Sequence, residues 1–141
     1  MSSFSQNKQD CDIRNYFECI NSKYEKIDYF SCKQNEAFKS YLENKNIFIT
    51  GSGGSGKSFW IKEIYKHAKE NNKKISVTAM TGCASILLDC NATTIHTWGS
   101  IGIGNDTFDN ILKKIRMYKK KDNWINTEIL IIDEISMMSQ Y

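Results

Sequence analysis

Lys57 and Ser58 close an eight-residue run, Gly51-Ser52-Gly53-Gly54-Ser55-Gly56-Lys57-Ser58. Its pattern is G-x-x-x-x-G-K-[ST], met in full. Glycines let successive backbone N–H groups turn inward around phosphate oxygens. A helix starting at the end of the run adds partial positive charge at the same point. Lys57 is long enough to reach the β and γ phosphates of a nucleotide, and the Ser58 hydroxyl suits a Mg²⁺ ion. A flexible Gly/Ser turn would explain the glycines but not Lys57-Ser58 at the required offset. The run is therefore expected to bind ATP and its Mg²⁺.

A second chemical signal lies far downstream. Ile129-Leu130-Ile131-Ile132-Asp133 is an apolar run ending in a carboxylate, and Glu134 follows it. Asp133 is expected to supply the second protein contact to Mg²⁺. A carboxylate at Glu134 would orient and polarise the water that attacks the γ phosphate. Phosphate-loop kinases for small molecules use a substrate hydroxyl as acceptor and need no such base. Glu134 thus favours hydrolysis of ATP, with Lys57 and Glu134 as the catalytic pair. A small-molecule kinase is the alternative.

Elements that could hold these residues are readable from periodicity. Ile47-Phe48-Ile49-Thr50 reads as a short buried strand leading into the loop. From Lys57 to about Asn71 a helix sets Ile61, Ile64, Tyr65 and Ala68 on one side and Lys62, Glu63, Lys66, Lys69 and Glu70 on the other. Ile75–Ala79 reads as a second strand, Gly82–Leu88 as a short helix, and Ile129–Asp133 as a third strand. Residues 33–44 read as helical, Gly99, Gly102 and Gly104 mark a loop, and Asp109–Lys120 is amphipathic. Strands alternating with helices predict an α/β fold with a parallel sheet flanked by helices. Ahead of this, Ile13, Phe17, Ile20, Tyr24 and Ile27 recur at helical spacing and predict a helix over 12–29.

Bulk properties exclude several classes. The chain has 141 residues, 40% hydrophobic and 25% charged, enough for one domain with a modest core. No apolar run approaches the roughly 20 residues that span a bilayer, and Met1–Arg14 has neither a signal core nor an acid-poor composition. The expected location is nucleus or cytoplasm, with a viral source compatible, and not secreted. The net charge of +3 is compatible with nucleic acid without requiring it. Five cysteines, Cys11, Cys19, Cys32, Cys83 and Cys90, include no C-x-x-C pair, which speaks against a disulfide framework or a zinc site.

Four blocks in order resemble the Pif-type DNA helicases, superfamily-one enzymes that move 5′ to 3′ on single-stranded DNA. The first is Lys33-Gln34 with Asn46 through Ser58. The second, Thr78-Ala79-Met80-Thr81-Gly82-Cys83-Ala84-Ser85, is similar to motif Ia. The third, Thr94-Ile95-His96-Thr97-Trp98-Gly99-Ser100-Ile101-Gly102-Ile103-Gly104, is similar to the family's T-[IL]-H segment. The fourth, Trp124 and then Ile129 through Met137, resembles motif II and its approach. RecD-like helicases share the T-I-H element and the D-E-x-S-M block and are the nearest alternative; the Ile-Gly-Ile-Gly run favours the Pif type.

The resemblance implies a RecA-like phosphate-loop domain over 31–141 and an N-terminal helical extension over 1–30. It implies that Gln34 reads adenine, a role for which an amide suits the N6/N7 edge. It places Thr81, Gly82, Thr94 and His96 in segments that face single-stranded DNA, where hydroxyls, backbone N–H groups and imidazole suit phosphates. Repair, recombination and telomere maintenance are the family's roles. Trp98 is expected in the core rather than as a base-stacking platform, and Lys113, Lys114, Arg116, Lys119, Lys120 and Lys121 as a solvated face.

The chain departs from the family at Ala84-Ser85, where two alanines are usual, and at Asp89-Cys90-Asn91-Ala92, where glycines are frequent. In this fold class the strand after motif II lies between those carrying the phosphate loop and Asp133-Glu134. This sequence contains neither that strand nor the second RecA-like domain with its arginines. The expectation is a truncated product or a partial sequence that binds ATP weakly, hydrolyses it poorly and unwinds nothing. A non-catalytic binding module using the 12–29 helix is a further alternative.

Overall fold

The computed structural model describes residues 27, 29–102, 106–117 and 121–138. They belong to two compact units, one within Met1–Thr50 and one within Gly51–Tyr141.

In the first unit, helix α1 spans Cys32–Leu42. Its start is written in Ser31 and Gln34. The Ser31 hydroxyl accepts from Gln34 N at 3.3 Å, and Gln34 Oε1 accepts from Ser31 N at 2.9 Å. This reciprocal capping box satisfies two backbone donors at the helix start. Phe38 is buried with Phe30, their rings edge-to-face at 6.0 Å. Tyr41 lies beside Phe38, and burial pushes its phenol pKa up.

Two expectations for this unit need revision or lie out of view. Ile47-Phe48-Ile49-Thr50 is not a buried strand: the segment is irregular and Phe48 is 77% exposed. A strand needs neighbours for its backbone N–H and C=O groups, and among the described residues no strand pairs with this one. The helix expected over 12–29, and with it the extension over 1–30, lies outside the described residues except at its end. There Ile27 and Tyr29 are not helical.

The second unit is α/β. Helix α2 spans Lys57–Glu70 and buries Trp60, Ile61, Ile64 and Ala68. Asn72, at φ 55°, sits in the left-handed turn after it, a position that asparagine tolerates. Strand β1 is Ile75–Ala79, followed by helix α3, Gly82–Leu88, and strand β2, Thr93–Thr94. Helices α4 (Ile95–Gly99), α5 (Phe108–Met117) and α6 (Lys121–Asn126) lead to strand β3, Ile129–Asp133, and a 3-10 turn at Ile135–Met137.

The sheet order is β2-β1-β3, all parallel. Ile75 pairs with Ile129 and Ala79 with Asp133, so β1 and β3 run in step along their full length. β1 is the buried centre. Thr78 has no exposed surface, and its hydroxyl donates to the Ile131 carbonyl at 2.7 Å, so the polar group is satisfied in the core. Below the sheet, Lys74 N donates to Glu128 Oε1 at 3.0 Å, which holds that carboxyl below the usual range. Helices α2, α3 and α4 pack against β1.

β2 and α4 were not anticipated from the sequence. Two and five residues are too short for periodicity to register. On α5, Ile111, Leu112 and Ile115 are half-buried while Lys113, Lys114 and Arg116 are exposed, as a solvated basic face requires. Trp98 is buried, with Trp124 against it at 4.8 Å between ring centroids. Asp89 (φ 51°) and Asn91 (φ 50°) adopt the left-handed conformation. That accounts for the tolerance of a non-glycine pair here, because short polar side chains are the ones that enter this region.

Candidate functional site

The short connection 71–74 between α2 and β1 reverses the chain, and α2 packs on β1. The start of α2 therefore lies toward the carboxyl ends of the strands. Asp133, Ala79 and Thr94 stand abreast there, because Ala79 pairs with both of the others. Ligands of parallel α/β sheets bind at this edge.

Residues 51–58 form the loop and first turn at the α2 start. Ser55 N donates to Ser52 O at 3.3 Å and closes a tight turn. Gly54 (φ 74°) and Gly56 (φ 83°) occupy the left-handed region, which glycine enters at no steric cost. At Gly51 the constraint is milder and one of space: a Cβ there would meet Ser55 Oγ at 2.8 Å, and the Ser55 hydroxyl would have to turn away. Gly53 answers to neither constraint, since a Cβ there would meet nothing within 4 Å.

Lys57 folds over the loop. Its Nζ donates to Gly51 O at 2.7 Å and Ser52 O at 3.0 Å, with Ser55 Oγ at 3.4 Å. The ammonium charge is thus held over the loop by the loop's own carbonyls. Gly56 is the N-cap of α2 and supplies no side-chain cap, whereas Ser31, Thr81 and Thr94 cap α1, α3 and α4. A helix start whose N-cap residue brings no side chain, with a lysine ammonium beside it, suits an anion. Ser58, exposed in the first helical turn, presents a hydroxyl near this point.

Asp133 ends β3. Its Oδ1 accepts from Glu134 N at 3.0 Å, and its carbonyl accepts from Met80 N at 3.3 Å. Glu134 is exposed at φ 56° and ψ 36°, a left-handed conformation that a non-glycine residue adopts at a cost.

The four residues placed by resemblance toward DNA divide in two. Thr81 and Thr94 spend their hydroxyls on caps: Thr81 Oγ1 accepts from Ala84 N at 3.2 Å and Thr94 Oγ1 from Thr97 N at 3.2 Å. Gly82 opens α3 in open space, and His96 sits half-buried on α4. Thr94 is held beside Asp133 across β1; Thr81 follows β1 by two residues. Gln34 belongs to the other unit, and its Oε1 takes part in the α1 cap.

Sequence reasoning missed Ser31 and Asn35. The S-x-x-Q spacing of Ser31 and Gln34 is a helix-start signature and was available in the sequence. Asn35 gave no such signal; only its burial reveals its part. Among the described residues no group of three or more His, Cys, Asp or Glu side chains could hold a metal by itself, and Cys32, Cys83 and Cys90 are free thiols. No helix among them is long and apolar enough to cross a membrane.

A family model described as PIF1-like helicase matches residues 30–141. The ATP-dependent DNA helicase PIF1 of Emericella nidulans is 37% identical over 111 residues, 74% of this chain and 15% of that protein. The ATP-dependent DNA helicase RRM3 of Saccharomyces cerevisiae is 42% identical over 96 residues, 66% of this chain and 13% of that protein. The uncharacterized protein 030L of Invertebrate iridescent virus 6 is 33% identical over 112 residues, 76% of this chain and 21% of that protein. The crystal structure of Pif1 helicase from Candida albicans superposes with a TM-score of 0.71 at 35% identity, over 80% of this chain and 26% of that one. The chain spans between 12% and 21% of the length of eight such helicases and related proteins.

Proposed function

The chain belongs to the PIF1-like helicase family, and from that premise we propose that residues 31–141 are the first RecA-like domain of a 5′-to-3′ DNA helicase that couples ATP hydrolysis to movement on single-stranded DNA. The observation that carries the reading is the α2 start. A helix start without a side-chain cap from its N-cap residue, left-handed glycines and the Lys57 ammonium converge there. Gly53 has no packing reason to be glycine, which fits close approach by a ligand.

In this reading the amides of Gly51, Ser52, Gly53, Gly54, Ser55 and Gly56 wrap the triphosphate, and Lys57 exchanges loop carbonyls for phosphate oxygens. An ammonium has three hydrogens, so an arriving phosphate displaces at least one of its contacts to Gly51, Ser52 and Ser55. Ser58 and Asp133 would hold Mg²⁺, which when bound neutralises charge on the phosphates. Glu134 orients the attacking water and takes its proton. Gln34 reads adenine. Thr81, Gly82, Thr94 and His96 line the DNA side, Thr81 and Thr94 through the helix starts they cap. Transition-state arginines would come from a second RecA-like domain. Repair, recombination and telomere maintenance, in nucleus or cytoplasm, are the settings in which such a motor would work.

The test is a titration of the 141-residue chain with a fluorescent ATP analogue in Mg²⁺. Lys57→Ala removes charge-assisted contacts and is expected to weaken binding about 10- to 100-fold. Equal affinity in the variant would sink the reading of the loop.

A further inference from the structure

Six basic side chains, Lys113, Lys114, Arg116, Lys119, Lys120 and Lys121, fall within nine residues that hold no acidic one. The whole chain is only +3, so the rest of it is net −3. The positive charge of this protein is therefore the property of one segment, not of its surface at large.

Helix α5 turns part of that segment outward. Ile111, Leu112 and Ile115 are half-buried, and Lys113, Lys114 and Arg116 are exposed. Lys121, the first residue of α6, is exposed as well. α6 is fastened to α4, where Asn123 Nδ2 donates to Trp98 O at 2.8 Å and Trp124 Nε1 to Gly99 O at 3.2 Å. The Lys114 charge is answered by Asp106 at 2.6 Å. Among the described residues Lys113, Arg116 and Lys121 make no ion pair. Residues three apart are neighbours on a helix surface, so the charges of Lys113 and Arg116 repel until an anion comes between them.

The kind of anion follows from what else the face carries. Proteins grip single strands with aromatic side chains set among the cations, on which bases stack. No ring stands among Lys113, Lys114 and Arg116, and Trp124 on α6 lies against Trp98. Cations without a stacking platform suit a phosphate backbone whose bases are already paired. A duplex also offers the denser charge, one per about 1.7 Å of its axis. We propose that the exposed basic face of α5 and the start of α6 bind the phosphate backbone of duplex DNA, independently of sequence and apart from the Thr81, Gly82, Thr94 and His96 segments. The choice of DNA rests on the reading of this chain as part of a DNA motor, which must meet the duplex that it opens.

Binding of the 141-residue chain to a fluorescently labelled blunt duplex, followed against salt, tests this. On a duplex each phosphate contact contributes about 0.9 to the slope of log affinity against log salt. Lys113→Gln/Arg116→Gln keeps helix propensity and is expected to flatten that slope by about 2. Its affinity should then fall about tenfold less than the parent's between about 50 and 200 mM salt. Lys121→Gln alone should flatten the slope by about 1, and it decides the matter if the double variant no longer melts cooperatively. Lys66→Gln/Lys74→Gln removes the same charge from exposed sites elsewhere and should change the slope by less than one contact's worth. A fluorescent ATP analogue should bind all of these variants as it binds the parent.

A parent slope in both the Lys113/Arg116 and Lys121 variants overturns the proposal and leaves a solvated face. An equal loss in the Lys66/Lys74 variant also overturns it, since net charge would then be responsible. A loss on a single strand as large as that on the duplex overturns the duplex assignment and gives the face to the single-strand path. Failure of the motor reading is seen separately, as undiminished ATP binding in Lys57→Ala, and does not move the salt slope.

Discussion

Glu134 donates its backbone N–H to the carboxylate of its neighbour, with 3.0 Å between Glu134 N and Asp133 Oδ1, and does so from a left-handed conformation at φ 56°. Two acidic residues in sequence along a strand would point to opposite faces. The bend at Glu134 breaks that alternation where β3 ends. A non-glycine residue in this conformation costs about 1–2 kcal/mol, and glycine gives back about 0.5–1 in chain entropy. Glu134→Gly should therefore leave stability unchanged or raise it by up to about 1 kcal/mol, while removing the carboxylate proposed to orient water. Urea unfolding checks this. A loss beyond about 1 kcal/mol would show that the side chain itself holds the turn.

The Gly99 backbone sits against Trp124. The Trp124 Nε1 donates to Gly99 O at 3.2 Å, and a Cβ on Gly99 would meet Trp124 Cζ2 at the same 3.2 Å. Trp124 is half exposed, so its ring can give way, unlike the buried Trp98 beneath it. Gly99→Ala should cost about 1 kcal/mol, the low end for overpacking, and shift tryptophan emission to the red as the ring pair opens. Unchanged emission and melting midpoint would mean that the pair absorbs the methyl without moving.

Asp106 anchors the start of α5. The Lys114 ammonium, at 2.6 Å, and the Asn110 amide hold its carboxyl at about 2, below the ordinary 3.8. A folded-state pKa below the unfolded one stabilises the fold at pH above the unfolded value. That contribution is complete above about 3.8 and is lost as pH falls through about 2. A carbon-detected NMR titration should find the Asp106 midpoint near 2 and see it rise in Lys114→Met. A parent midpoint near 3.8 would mean that the ion pair does not persist in water.

Asn35→Ala removes four side-chain hydrogen bonds from the 27–31 turn. Backbone groups that lose buried partners cost about 1–3 kcal/mol, and the partly exposed bonds to Ile27 and Ser31 place this change at the lower end. Hydrogen exchange at Ile27 N–H should accelerate with it. Exchange as slow as in the parent would show that another group takes the place of Asn35.

The elements read from the apolar pattern alone fall where apolar residues repeat along a helix face or run through a strand. α2 and β1 appear with nearly the expected bounds, as does β3, because each carries its own burial pattern. The phosphate loop was legible for a different reason: its chemistry demands particular residues at fixed offsets, so spacing carries it without the fold. β2 and α4 escaped because they are short, and that Thr94 caps α4 is visible only in the structure. The apolar segment 47–50 misled, because β propensity describes fit to a neighbouring strand, and no described strand supplies that neighbour.

By itself the sequence determined the identities that chemistry requires: the Gly51–Ser58 run, Lys57 among its glycines, and Asp133-Glu134 after an apolar strand. Those follow from local rules of spacing, residue type and backbone freedom. Only the tertiary structure decided which partners those groups have. It sets Thr94 and Asp133 on either side of Ala79, gives Lys57 the carbonyls of its own loop, and ties residues 27, 30 and 31 to α1 through Asn35. Such relations depend on register, burial and hydrogen-bond direction, which arise when distant segments pack and which no single stretch of chain contains.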